Sequence, residues 1–224
     1  MLLARRTGPQ GPDRGVVVVR ARTGQNAAMQ THRLEAFSDG VLAIIITIMV
    51  LGLKVPHDST WHALRATSGL GVLTYLLSFV YIGIYWNNHH HLFQVVRHVD
   101  GVVLWANLHL LFWLSLYPFT TEWLDESHVA RVPTVVYGVN LLGAAIGYYL
   151  LQLAIRRVPG GERLAEAIGR DIKGLMSPVL YLIGIAVAFV DPRLSLVPYV
   201  AVALMWLVPD RRVERYLAAE RAGG

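Results

Sequence analysis

Six apolar stretches constrain this chain more than any other feature. They run about Ala36–Leu53, Leu70–Phe93, Val99–Thr121, Val132–Ile155, Ile172–Val190 and Leu194–Val208. A helix needs about 20 mostly apolar residues to cross about 30 Å of hydrocarbon, and a backbone in lipid must satisfy its own hydrogen bonds. The stretches therefore predict an all-α, polytopic membrane protein with six transmembrane helices. The last stretch is the shortest and contains Pro198. Composition agrees: 54% of the 224 residues are hydrophobic and 16% charged, whereas a soluble domain carries roughly 25% charged residues.

A net charge of +5 would suit nucleic acid, but the placement of the charges argues for a bilayer instead. With the N-terminus in the cytoplasm, all Lys and Arg residues except Lys54, Arg65, Arg131 and Arg193 fall on the cytoplasmic side. That asymmetry follows the rule that basic residues stay inside, and it needs an even number of spans. Both termini are thus expected in the cytoplasm of a multi-pass plasma-membrane protein, with no nucleic-acid partner. Residues 1–32 read as a disordered cytoplasmic tail, because Met1–Gln30 is rich in Gly, Arg, Pro and Gln. Its one apolar run, Val16–Val19, is shorter than the roughly 7–15 residues of a signal-peptide core. Met29, just before the first span, is a candidate natural start. Residues 33–209 form the membrane domain, and 210–224 a short charged cytoplasmic tail.

Enzyme classes find no support. The chain has no cysteine, which removes disulfides, thiol nucleophiles and Cys-based metal sites. No Walker A loop, dinucleotide fingerprint, HExxH or GxSxG elbow is present, nor the TVGYG filter of common potassium channels. No catalytic residue, metal or cofactor is expected.

Ionisable residues inside spans are costly unless paired or wetted, so they are the informative ones. Asp39 lies about a turn inside the first span, after Arg33 and next to Ser38. Ser38 or Asp39 capping a helix that starts at Gly40 is one reading. The second span ends in Asn87-Asn88-His89-His90-His91, and the third begins at Asp100 with Asn107 and His109 further in. Arg33, Asp39, His89, His90, His91 and Asp100 then share one layer, which suits a structural hydrogen-bond network. Three consecutive helical residues point in three directions, so a metal site is the lesser option. On the first span, Phe37, Gly40, Ile44, Thr47, Ile48 and Leu51 fall on one stripe, with Asp39 about 140° from Ile44. Periodicity alone assigns that stripe to lipid contact or packing.

The stretch Arg33-x-x-x-Phe37-Ser38-Asp39-Gly40 at the first of six spans resembles the signature of the transmembrane protein 175 family of bacterial and endolysosomal potassium channels. Trp86-Asn87-Asn88-His89-His90-His91-Leu92-Phe93 is similar to that family's second-span end. The resemblance covers roughly Arg33–Pro209 and lives mostly in those two motifs. It implies a homotetramer in which the first helix lines a central pore, with permeant K+ and protons as candidate ions. It implies Ile44, Thr47, Ile48 and Leu51 as pore residues, and Arg33, Phe37, Ser38, Asp39, His89, His90, His91 and Asp100 as the network anchoring the pore helix. A leak-like channel, modestly selective for potassium over sodium and gated by apolar collars, is the function implied. A secondary transporter or proton-coupled carrier using Asp39, Asp100 and the three histidines as a relay is the alternative.

Overall fold

The computed structural model describes residues 14–96, 99–159, 161 and 172–207. Among the described residues the chain forms helices α1 (Arg14–Leu51), α2 (Trp61–Val95), α3 (Gly101–Ser115), α4 (Tyr117–Glu126), α5 (Arg131–Arg156), α6 (Ile172–Ala188) and α7 (Leu196–Leu207). Helix covers each of the six apolar stretches. Four spans, Thr31–Leu51, Trp61–Gln94, Gly101–Glu126 and Arg131–Arg156, are long and apolar enough to cross a membrane; α6 and α7 are shorter apolar helices.

Local chemistry explains where these helices begin and break. α2 starts further upstream than the apolar stretch, because the Thr60 hydroxyl caps it by accepting from the Ala63 N–H. The third apolar stretch is divided at Leu116. Pro118 follows, and a proline has no N–H to give and crowds the carbonyl four residues back, so α4 restarts with proline in its first turn. Pro198 lies in the first turn of α7, where its missing N–H has no partner to lose. α1 is helical back to Arg14, upstream of the first apolar stretch and into the segment read from sequence as a tail. No proline falls between Arg14 and Leu51, and Ala27, Ala28, Met29 and Gln30 are ready helix formers. Residues 1–13 and the expected C-terminal tail, 210–224, lie outside the described residues.

The core is unusually aromatic. Tyr81, Tyr117, Tyr137, Tyr181 and Tyr199 are fully buried, with neighbouring ring centroids 6.0 to 6.4 Å apart, the spacing at which tilted rings attract. Each ring fills space between helices; the Tyr81, Tyr137 and Tyr199 hydroxyls find partners there, whereas that of Tyr117 is buried without one. Tyr137 shares its hydroxyl with Ser78 at 3.0 Å, and Ser78 with Thr121 at 2.7 Å, joining α2, α4 and α5. Against α3, α5 presents Gly143 and Gly147. A Cβ on Gly147 would come within 3.0 Å of the Leu110 Cα, so the two backbones approach as small residues allow in membranes. α3, held on α5, thereby backs α1, which also packs on α2 and α4.

Candidate functional site

α1 shows two faces with different fates. Leu34, Ser38, Leu42, Ile45 and Met49 are buried against the other helices, at the three- and four-residue spacing of one helical face. The opposite side carries Phe37, Ile44, Thr47, Ile48 and Leu51, all exposed; Ile44 is 58% exposed and Leu51 80%. Thr47 turns its hydroxyl proton back to the Ala43 and Ile44 carbonyls, at 3.1 and 2.9 Å, which leaves oxygen lone pairs on the exposed side. The subunit thus offers an apolar stripe with one hydroxyl, and buries none of it in its own core.

The buried face is held by a polar chain through three helices. The Ser38 hydroxyl donates to the Leu34 carbonyl at 2.9 Å. Its only proton is then spent, so its oxygen accepts from Asn107 Nδ2 at 2.9 Å. The Asn107 carboxamide oxygen is left facing His89 Nε2 at 2.8 Å, and the imidazole must supply that proton. All three residues are buried. The continuous helix through residues 38–39 means that neither Ser38 nor Asp39 is an N-cap. The His89 ring also lies tilted against Phe93, 4.6 Å between ring centroids, and its Nδ1 is buried without a partner. A neutral ring with its lone pair in apolar surroundings fits that position.

A second, more exposed set of contacts ties the flank of α1 to α2. Trp86 Nε1 donates to Asp39 Oδ1 at 3.1 Å. His90 Nδ1 lies 2.7 Å from Glu35 Oε1, and its Nε2 lies 2.8 Å from Gln94. The His90 ring stacks on Trp86 with an interplanar angle of 15°. Glu35 and Asp39 are four residues apart, so both carboxylates meet α2 from one side of α1. At the other end of α1, Lys54 pairs with Glu126 of α4 at 3.4 Å.

The structure sorts the expected anchoring residues. It brings together Ser38, Asp39, His89 and His90, each with a partner on another helix. Asp100 instead caps α3, accepting from the Val103 N–H at 2.9 Å. Phe37 and Arg33 are exposed; seven and eleven residues before Ile44, they share its side of the helix. His91 keeps its Nδ1 buried and unpartnered. Among the described residues no three His, Asp or Glu converge as metal ligands. Sequence reasoning passed over Asn107, Glu35 and Trp86 as anchors. Glu35 had a visible signal, its four-residue spacing from Asp39.

Residues 33–118 match the family model described as endosomal/lysosomal potassium channel TMEM175. A protein named as a potassium channel from Chryseobacterium sp. (strain P1-3) is 53% identical over 190 residues, covering 84% of this chain and 98% of its own. The crystal structure of a lysosomal potassium-selective channel TMEM175 homolog from Chamaesiphon minutus superposes with a TM-score of 0.66. It is 31% identical and covers 80% of this chain and 97% of its own. The endosomal/lysosomal proton channel TMEM175 of Gallus gallus is 29% identical over 160 residues, 69% of this chain and 31% of its own length.

Proposed function

Because this chain belongs to the TMEM175 family, an ion-channel family and not an enzyme family, we propose that it is a potassium channel whose pore is lined by α1. The observation that carries this reading is the exposed stripe of Ile44, Thr47, Ile48 and Leu51, opposite a face that buries Ser38. Four subunits would set four such stripes around one axis, with α2 to α7 behind them. The membrane domain would be residues 33–209, in the plasma membrane, with both flanking segments cytoplasmic.

The physical chemistry of such a pore differs from that of a carbonyl-lined filter. Rings of Ile44 and Leu51 make apolar collars, which close by losing their water. A ring of Thr47 hydroxyls supplies oxygens between them to a partly dehydrated cation. Potassium sheds water at lower cost than sodium, so modest selectivity follows, and the absence of an arginine-ladder helix gives a leak-like conductance. The anchor explains how an apolar helix keeps one face turned to the axis: Ser38, through Asn107 and His89, fixes its rotation.

The test is ion flux from liposomes containing the purified protein, with potassium, sodium and choline compared and a proton-sensitive dye in the lumen. Potassium flux above sodium, with choline excluded, is the expected result. Saturable exchange of a specific solute, in place of passive flux down the gradient, would make the protein a carrier.

A further inference from the structure

α3 and α5 touch deep in the membrane domain and part toward its edge. At the deep point Gly147 sits against the Leu110 backbone. Four residues back along α3 and seven further along α5 lie Ala106 and Ala154. Their methyl groups do not close the space between the helices, and a groove of about 470 Å³ opens there. Ligand sites occupy about 300–1,000 Å³ and are mostly apolar. Val102, Trp105 and Ala106 form the α3 wall, and Leu150, Leu153 and Ala154 the α5 wall. Both sets recur at three- and four-residue spacing, so each wall is one helical face.

Polarity changes along this groove. From Leu150 it runs about 10 Å, seven residues at 1.5 Å each, to Arg157, which lines its outer end. The apolar span of α5 stops at Arg156, so Arg157 stands where hydrocarbon gives way to headgroups. Arg157 is exposed, and its stem can follow the apolar wall while the guanidinium stays in the polar layer. Trp105, four residues into α3 from Gly101, is 75% exposed, at the depth where tryptophan anchors a span. Asp100, next to Gly101, turns its carboxylate along its own helix, to the Val103 N–H.

We propose that this groove binds a phospholipid with an anionic headgroup, one acyl chain lying between the α3 and α5 walls and the phosphate paired with Arg157. The two ends of the groove match the two ends of such a lipid. An acyl chain fits a narrow apolar channel whose exposed residues, Val102 and Leu150, open it sideways to hydrocarbon. A guanidinium takes phosphate oxygens two at a time, and a basic pocket at the ends of packed spans suits an acidic headgroup. A zwitterionic headgroup brings its own cation to the same place and gains less. The groove lies off the α1 stripe, and lipid binding is read without ion flux, so the proposal does not depend on the channel reading.

The test is native mass spectrometry of the purified full-length oligomer, titrated with phosphatidylglycerol or with phosphatidylcholine of the same acyl chains. Phosphatidylglycerol should bind on the order of tenfold more tightly, as one charge-assisted contact allows. Arg157→Gln should bring the two lipids to near parity. Arg131→Gln, at the opposite end of α5, should leave the preference intact. Ala106→Trp fills the groove with Arg157 still in place, and should lower phosphatidylglycerol binding severalfold. No preference in the wild type, or one that survives Arg157→Gln, overturns the proposal. Binding that Ala106→Trp leaves untouched also overturns it, because the lipid is then adsorbed outside the groove. If Ala106→Trp does not assemble, Leu150→Trp on the more exposed wall takes its place. If neither assembles, a neighbouring subunit fills the groove and the proposal falls.

Discussion

The Asn107 carboxamide nitrogen stands 2.9 Å from the Ser38 hydroxyl, in a layer where neither residue reaches solvent. Each atom of this link is committed in one direction. Ser38 gives its proton along its own helix, Asn107 gives one to Ser38, and His89 gives one to Asn107. No member can be replaced by a group of the opposite polarity without reversing the chain.

Asn107→Leu keeps the volume but strands the Ser38 oxygen and the His89 N–H. Each buried group left unmade costs about 1–3 kcal/mol, so thermal unfolding followed by size-exclusion chromatography should show a marked fall in Tm and loss of oligomer. An unchanged Tm would remove Asn107 from the anchor.

Ile44→Asn tests the stripe. A polar ring at that level should hold water where the apolar one excludes it, raising potassium flux severalfold and lowering the preference over sodium. If flux and selectivity both match the wild type, the exposed face of α1 does not line the pore.

Asp39 and Trp86 form a pair suited to a double-mutant cycle. Trp86→Phe removes the N–H donor together with part of the ring that stacks on His90, and Asp39→Ala removes the acceptor. A hydrogen bond to a charged group is worth about 1.5–3 kcal/mol, discounted here because Trp86 is 48% exposed. The double variant should be no less stable than the worse single one. Strictly additive losses would show that the two side chains act separately.

His128 sits in the left-handed region, φ 52°, at the turn between α4 and α5, and it is exposed. Left-handed backbone costs an ordinary residue about 1–2 kcal/mol, and glycine pays little of it. His128→Gly should raise Tm by roughly 2–4 °C for a chain of this size, measured by differential scanning fluorimetry. A lower Tm would mean that the imidazole contributes more than the turn loses. Val129 shares the conformation at φ 62° but is buried, so the same change there would also remove packing.

Much of the fold could be read from residue patterns, because hydrophobic length and helical periodicity are local properties. The stripe from Phe37 to Leu51 and the polar start of the first span both follow from spacing within one helix. Asp100 before Gly101 and an apolar run also had a local signature, that of an N-cap, which outweighs its membership of a polar layer. Pro118 likewise marked the division of the third stretch. Asn107 is different: its two partners lie 69 and 18 residues away, and nothing along the chain says which side of α3 meets α1. Choosing among His89, His90 and His91 met the same obstacle. Helix rotation settles it, burying His89 against Asn107 and leaving His90 beside Glu35. Arg33 and Phe37 join Ser38 in the anchoring network only through the family resemblance, whereas helical periodicity already puts Phe37 on the stripe of Ile44, and the turn of the helix sets both on that side.

α1 runs unbroken for 38 residues, a rod of about 57 Å at 1.5 Å per residue, nearly twice the thickness of the hydrocarbon layer. A rigid shaft transmits torque along its whole length. The Ser38–Asn107 link stands between its upstream end and Ile44, Thr47, Ile48 and Leu51, so a torque applied there meets that hydrogen bond before it meets the stripe.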